Sequence, residues 1–179
     1  MKKVLILFLI PLCFAACTGN STDSTSATKD SVTVAKDSVT LPYTDAYSSN
    51  FVPGKQADVL TVLNNYKAWE QGDMAALKAT LADTVEMIFA SGTHIKMAVD
   101  AAMGEAKKFR DSLSKVQLTL YAWTSNHSVD KNEDWVNVWY KEIDTYKTGK
   151  IDSVDYEDDN LLKGGKIAWT SSHSQKLKK

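Results

Sequence analysis

Three histidines and one acidic run are the side chains with the clearest capacity for chemistry. His94, His127 and His173 lie far apart and show no spacing typical of a metal-ligand set. The acidic run 155–159 lacks the glycine-containing loop of a dedicated calcium site, and a β-strand would direct successive acids to opposite faces. We therefore expect no metal and no other cofactor, and we expect one acid of the run to face inward.

Aromatic residues are the second candidate group. All five tryptophans lie between residues 69 and 169. Most should be core residues, because aromatic side chains dominate core burial. An aromatic lining would also make an apolar pocket, which is the usual form of a small-molecule site. The pocket residues predicted on this basis are Tyr66, Trp69, Met87, Phe89, Trp123 and Trp139.

The elements that must position these residues follow from the hydrophobic periodicity. Apolar residues from Val59 to Trp69 recur at helical spacing and predict a helix that ends at Gly72. Asp73 fits an N-cap for a second helix over 74–81, and a third is predicted over 96–113 with Thr93 as its cap. Alternation and turn-forming breaks predict strands over 84–90, 116–127, 134–146, 150–162 and 166–173. This order predicts an α+β domain with three N-terminal helices packed on a curved antiparallel sheet.

The order of these motifs resembles a known superfamily. Trp69-Glu70-Gln71-Gly72-Asp73, followed by Leu81-Ala82-Asp83-Thr84-Val85, is similar to the opening of the nuclear transport factor 2-like (NTF2-like), or SnoaL-like, domain. The third helix, Asp134-Trp135-Val136 and Gly165-Lys166-Ile167 are similar to the rest of that pattern. The resemblance implies a conical fold that encloses one pocket. Its members include isomerases, cyclases, dehydratases and non-catalytic binding modules, so the fold alone does not assign an activity.

The resemblance also suggests roles for individual residues. Met87 falls where the isomerases carry their carboxylate base, and a thioether cannot accept a proton. Glu157 falls near the acid donor of that family, and His94 falls where many members place pocket or entrance residues. We therefore favour a non-catalytic domain that binds a small apolar ligand or a protein partner. Two alternatives are an isomerase, cyclase or hydrolase that uses His94, Glu157 or Asp155, and a structural module that dimerises through its sheet face.

The N-terminus points to export and lipid anchoring. Lys2 and Lys3 precede a nine-residue apolar run, too short to span a bilayer, and Phe14-Ala15-Ala16-Cys17 follows. This pattern resembles a bacterial lipoprotein signal peptide, in which the final cysteine is acylated, although Phe14 stands where an aliphatic residue is usual. Removal of residues 1–16 and acylation of Cys17 would leave no free thiol in the folded part.

Composition sets the domain organisation. Residues 18–50 are rich in serine and threonine and cannot bury enough surface to offset their ordering entropy. We therefore assign 1–16 to a signal peptide, 17–55 to a lipidated tether and 56–175 to the NTF2-like domain. The net charge of −1 argues against non-specific nucleic-acid binding. The expected location is the bacterial cell envelope, with the membrane as one partner through Cys17 and a homodimer as another candidate assembly.

The anchor can be tested by mass spectrometry of the mature protein. We expect an N-terminal, acylated Cys17, because several acyl chains on one cysteine give stable membrane attachment. Cys17→Ser should release or mislocalise the protein. A mature chain that starts at Met1, or at an unmodified Thr18, would contradict the prediction.

Overall fold

The computed structural model describes residues 40–175. The predicted signal peptide 1–16, the lipidated Cys17 and the tether as far as residue 39 lie outside the described residues. Two units are distinguished along the chain, and the second begins at Tyr43. Residues 40–42 belong to the first unit and contain neither helix nor strand. Within the described residues, no helix is both long enough and apolar enough to span a bilayer.

Three helices and seven strands make up the described part of the second unit. The helices are α1 (Gln56–Gln71), α2 (Met74–Ala79) and α3 (Val99–Ser112). The strands are β1 (Phe51–Pro53), β2 (Leu81–Ile88), β3 (His94–Ala98), β4 (Leu113–Ser128), β5 (Glu133–Tyr146), β6 (Ile151–Lys163) and β7 (Lys166–Gln175). The strands form one sheet in the order β1-β4-β5-β6-β7-β2-β3.

The sheet is mixed, so the prediction of a wholly antiparallel sheet was wrong. β4, β5, β6 and β7 form an antiparallel meander, but β2 pairs with β7 in parallel. Parallel pairing requires a long connection between the two strands, and here β3, α3, β4, β5 and β6 lie between them. Short-range patterns in the sequence could not show a pairing between strands so distant along the chain.

The third helix begins three residues later than predicted. Residues 96–98 belong to β3, which pairs with β2 through contacts such as Met97 with Val85 and Ile95 with Met87. Alternation of Ile95 and Met97 matches a strand as well as a helix over so few residues. The N-cap of α3 is Ala98, without a side-chain cap, so Thr93 does not serve as the predicted cap.

The junction of α1 and α2 follows the local sequence. Gly72 ends α1 with φ of +74°, a conformation that favours glycine. The carboxylate of Asp73 accepts hydrogen bonds from the backbone N–H groups of Ala75 at 3.1 Å and Ala76 at 2.9 Å, which confirms the predicted N-cap. The Arg110 side chain of α3 donates to the carbonyl oxygens of Trp69 and Glu70, both at 3.2 Å, and so ties α3 to the end of α1.

The hydrophobic core lies between α1 and one face of the sheet, which we call the inner face. Alternation places Val136, Val138 and Tyr140 of β5 on this face, against Val62 and Tyr66 of α1. The opposite side, which carries Trp135, Asn137 and Trp139 of β5, is the outer face. β1 lies at the β4 edge of the sheet, and its residues come from the end of the range assigned to the tether.

Two residues of α1 test this packing. Val62 is fully buried and Leu60 is 60% exposed. Val62→Ala should lower the free energy of unfolding by about 2 kcal/mol, because it removes buried methyl groups and leaves a cavity. Leu60→Ala should change it by less than about 0.5 kcal/mol. Urea denaturation of both variants measures the difference, and equal effects would show that the helix packs through another face.

Candidate functional site

A group of polar side chains lies within the core on the inner face. We call Tyr66, Tyr140, Glu142, Asp144 and Asp158 the inner polar cluster. Tyr66 comes from α1, Tyr140, Glu142 and Asp144 alternate along β5, and Asp158 lies opposite Val138 on β6. Alternating positions on two paired strands therefore bring these groups to the same side of the sheet.

Asp158 is the central group of the cluster. It is 5% exposed, and its Oδ2 accepts hydrogen bonds from the Tyr66 hydroxyl at 2.7 Å and the Tyr140 hydroxyl at 3.0 Å. Its Oδ1 is buried and has no hydrogen-bond partner among the described residues. Oδ2 of this buried carboxyl group thus accepts two hydrogen bonds. The hydroxyl group of Ser172, opposite on β7, also interacts with the carboxyl group and lowers its pKa.

Burial dominates the titration of this group. It raises the pKa of Asp158, and the hydrogen bond from Tyr66 is the largest influence that opposes the rise. Burial also raises the pKa of Tyr66 and of Tyr140 well above the usual value, and the neighbouring charge of Asp158 adds to both shifts. Both tyrosines therefore remain hydroxyl donors to Asp158 at neutral pH.

Glu142 is a second buried acid, nearer the end of α1. Its Oε1 accepts a hydrogen bond from Trp69 Nε1 at 2.9 Å. Burial raises the pKa of Glu142 to about 7, and the charge of Asp144 adds to the rise, while the bond from Trp69 opposes it. A carboxyl group with such a pKa changes its charge in the range where general bases operate.

Asp144 extends the cluster along β5. Burial raises its pKa, and its buried Oδ1 has no hydrogen-bond partner in the described part of the chain. A hydrogen bond with Glu142 is the largest influence that lowers this pKa. The charge of Arg110 lowers it less, and the hydrogen bonds of Arg110 go to the end of α1. The acids of the cluster are therefore not neutralised by a paired cation.

Aromatic rings surround the cluster. Tyr140 packs edge-on against Tyr66, with ring centroids 4.9 Å apart, and stacks on Tyr156 at 5.4 Å. Trp69 stacks on Phe109 at 6.1 Å. Trp69, Tyr156, Glu142 and Asp144 are all partly exposed, so the cluster meets solvent on this side. The arrangement combines an apolar surface with a buried acceptor behind it.

The structure separates the predicted pocket residues. Tyr66 belongs to the inner polar cluster, and Trp69 donates a hydrogen bond to Glu142 of that cluster. Met87 lies on β2 opposite Thr170 and is partly exposed. Phe89 and Trp123 are exposed, and Trp139 lies on the outer face. The six residues do not line one common pocket.

The predicted acids and histidine lie away from the cluster. His94 is exposed and its Nε2 lies 2.9 Å from Glu86 Oε1. Asp155 accepts a hydrogen bond from Tyr121 at 2.7 Å, and Glu157 is exposed opposite Trp139. Alternation places both acids on the outer face, and the inward acid of this strand is Asp158.

Sequence reasoning missed Asp158, Glu142 and Asp144. The available signal was strand alternation, because residues an even number apart on a strand point to the same face. On β6 these include Val154, Asp158 and Leu162. On β5 they include Val136, Val138 and Tyr140. Extension of the second pattern past Tyr140 reaches Glu142 and Asp144. An inward carboxylate contradicts the usual expectation for a buried position, so the pattern is easily overlooked.

Two cavities lie away from the inner polar cluster. One, of about 380 Å³, is on the outer face and is lined by Phe51, Asn126, Trp135, Asn137 and Asp159. The other, of about 510 Å³, is lined mainly by charged residues near the β4–β5 and β6–β7 turns. In it Asp134 bonds both Lys55 at 2.7 Å and His127 at 2.8 Å. No group of His, Cys, Asp and Glu in residues 40–175 is arranged to hold a metal ion.

Comparison with known proteins identifies the fold. No family model matches the chain, and no curated protein matches it by sequence. An NTF2-like protein of unknown function from Exiguobacterium sp. 255-15 is similar over 65% of this chain and 99% of its own, with 14% identity and a TM-score of 0.55. An NTF2-like protein of unknown function from Burkholderia pseudomallei K96243 is similar over 66% and 91%, with 14% identity and a TM-score of 0.54.

An enzyme is also among the similar structures. An LEH-like epoxide hydrolase from M. tuberculosis is similar over 67% of this chain and 84% of its own, with 8% identity and a TM-score of 0.58. Likeness at these identities establishes the architecture and leaves the activity open. The chain therefore has the α+β, NTF2-like fold.

Proposed function

We propose that this domain binds a small amphipathic molecule against the inner polar cluster. The observation that carries the proposal is the buried Oδ1 of Asp158, to which no group in residues 40–175 donates a direct hydrogen bond, although Oδ2 accepts two. A buried polar atom without a hydrogen bond costs about 1–3 kcal/mol. A ligand that supplies the missing bond recovers that free energy on binding.

The chemistry of Oδ1 defines the polar end of the ligand. In its ionised form Asp158 only accepts hydrogen bonds. The tyrosine donors favour that form, against the larger effect of burial, which raises the pKa. The ligand therefore presents a donor, either a hydroxyl group or an amine. This differs from the purely apolar ligand expected from the sequence, because the aromatic surface has an acceptor behind it.

The aromatic rings define the other end of the ligand. Tyr156 and Trp69 are partly exposed beside the cluster and offer apolar area. Burial of such area contributes roughly 25 cal/mol per Å² before the costs of association. A compact hydrocarbon body with one donor suits this surface.

A second candidate function is acid–base catalysis. It is favoured by one observation, the pKa of about 7 at Glu142. The expectation of a non-catalytic domain relied on Met87 at the position of the isomerase base, whereas Glu142 and Asp158 supply ionisable groups from other positions. In this alternative Glu142 accepts a proton and Asp158 orients the substrate. The name of the similar epoxide hydrolase suggests one reaction class to examine.

The cellular setting is also part of the proposal. Acylation of Cys17 would hold the domain at a membrane of the bacterial envelope, with the segment before β1 as its spacer. Self-association through the outer face is a further proposal for its assembly. Both rest on the residue patterns described above.

Asp158→Asn tests the binding function. Cyclohexanol, cyclohexylamine and methylcyclohexane share one apolar ring and differ in the donor, and tryptophan fluorescence reports their binding. We expect cyclohexanol and cyclohexylamine to bind more tightly than methylcyclohexane. Asp158→Asn should weaken the binding of both roughly 10-fold or more, as for a lost hydrogen bond to a charged group. Glu157→Gln, on the same strand but on the outer face, should leave the affinities unchanged.

Thermal unfolding of Asp158→Asn must show that the variant is folded at the assay temperature. Tyr66→Phe supplies a second test, because it removes one hydroxyl donor to Oδ2 and keeps the ring. Equal affinity of the wild type and a folded Asp158→Asn variant for cyclohexanol and cyclohexylamine would overturn the proposal.

Titration of Glu142 tests the catalytic alternative. Trp69 donates to Glu142, so ionisation of the carboxyl group should change Trp69 fluorescence with a midpoint near pH 7. Glu142→Gln should abolish this transition, and Glu157→Gln should retain it. If the domain is a catalyst, hydrolysis of cyclohexene oxide should rise with pH through the same midpoint, because the base acts when ionised. The absence of a fluorescence transition near pH 7 would contradict the role assigned to Glu142.

The raised pKa of Glu142 also links its charge to stability. The pKa of Glu142 in the folded protein lies above the unfolded value of 4.5. Its contribution to stability is therefore fully present below pH 4.5 and is lost as the pH rises through about 7. The unfolding free energy of Glu142→Gln should therefore fall less than that of the wild type over this interval.

A further inference from the structure

The outer face carries a cavity that the proposed function does not use. Its volume is about 380 Å³, within the usual range for small-molecule sites, and Phe51, Asn126, Trp135, Asn137 and Asp159 line it. β1 forms one side of it, and the adjacent strands β4, β5 and β6 form its floor. Asp159 follows Asp158 directly, so neighbouring acids of one strand serve opposite faces.

A row of polar side chains crosses this floor. Asn137 Oδ1 accepts hydrogen bonds from Thr124 Oγ1 at 3.3 Å and from Asn126 Nδ2 at 3.4 Å. Asn137 Nδ2 in turn donates to Asp159 Oδ1. The side chains are thus held in fixed positions by one another before any ligand binds.

The row retains free hydrogen-bonding capacity. Asp159 Oδ2 accepts no hydrogen bond from a described residue, and His173 Nε2 lies 3.9 Å from it. Asn137 Nδ2 has a second hydrogen, and Asn126 Oδ1 accepts no hydrogen bond from a side chain of residues 40–175. Acceptors and a donor lie side by side, which is the arrangement that adjacent hydroxyl groups require, because each hydroxyl both donates and accepts.

Aromatic rings form the apolar part of the cavity. Phe51 is 44% exposed, and Trp135 is held edge-on by Trp169, with ring centroids 5.6 Å apart, and by Tyr47 at 6.2 Å. Aromatic faces carry partial negative charge and attract the weakly positive C–H groups of a saturated ring. A ligand with C–H faces and hydroxyl edges satisfies both parts of the lining.

The lining also excludes other classes of ligand. It contains no lysine or arginine, which argues against phosphate and carboxylate groups. The lining holds a single carboxylate, whereas a dedicated cation site uses several oxygen ligands. The polar row is unsuited to a purely apolar molecule, because desolvation of unpaired amides is costly.

We infer that the outer-face cavity is a binding site for the ring of a neutral sugar. The aromatic residues pack against the C–H face of the ring, and Asn126, Asn137 and Asp159 bond its hydroxyl groups. This site is independent of the inner polar cluster, since it lies on the opposite face of the sheet.

A panel of methyl glycosides tests the inference on the full chain. The probes are the methyl glycosides of glucose, galactose, mannose and N-acetylglucosamine, and saturation-transfer NMR detects their binding. We expect at least one to bind, Asp159→Ala and Phe51→Ala each to weaken it at least 10-fold, and Glu157→Gln to leave it unchanged. Glu157 is a matched control, because it lies two residues from Asp159 on the same face and does not line the cavity.

Several outcomes would overturn the inference. They are the absence of binding by every glycoside, equal binding by the Asp159→Ala and Phe51→Ala variants, and equally strong binding of cyclohexylmethanol, which lacks adjacent hydroxyls. Sedimentation that shows a dimer disrupted by Phe51→Ala would instead assign the cavity to self-association. Phe51 is exposed, so Phe51→Ala keeps the test valid if Asp159→Ala proves unstable. The binding of cyclohexanol at Asp158 is a separate measurement and can succeed or fail independently.

Discussion

The hydrogen bonds between two tyrosine hydroxyls and the carboxylate of Asp158 join the three elements that define this domain. Tyr66 belongs to α1, Tyr140 to β5 and Asp158 to β6, so one buried acceptor connects the helix to two central strands. The packing of Val62 against Val136 and Val138 supplies apolar burial on the same face. Hydrophobic contact alone tolerates some sliding of a helix on a sheet, whereas a shared buried acceptor fixes its position. The location of Trp69 above Glu142, one turn further along α1, depends on that position.

Strand alternation then divides the molecule into two chemical environments. On β6, Asp158 lies among tyrosines and is shielded from water, while Asp159 lies in a row of amides on the outer face. The same residue type thus has a raised pKa on one side of the sheet and belongs to a row of hydrogen-bonded polar side chains on the other. A shift of one residue in register would exchange the environments of these two acids.

The inner face carries more carboxyl groups than the neighbouring side chains in the described residues neutralise. Glu142, Asp144 and Asp158 all have raised pKa values, and burial is the largest cause for each. Such an arrangement costs stability and is typical of sites that meet a ligand or transfer a proton. Glu142 and Asp144 are only partly exposed on this face, where the helices pack on the sheet. The fold therefore permits the site, and the particular side chains give it a chemical character.

The sequence by itself determined the local structure and the fold class. Helical spacing located α1, Gly72 and Asp73 marked the junction of α1 and α2, and alternation located the four strands of the meander, because these signals depend on residues close together in the chain. Only the tertiary structure decided which strands pair across long separations, as β2 does with β7, and which of two adjacent acids faces inward. It also decided that Glu142, sixteen residues before Asp158, shares one environment with it and with Tyr66. The physical reason is that burial, pKa and hydrogen-bond partners are properties of a position in space, and sequence patterns specify spacing along the chain.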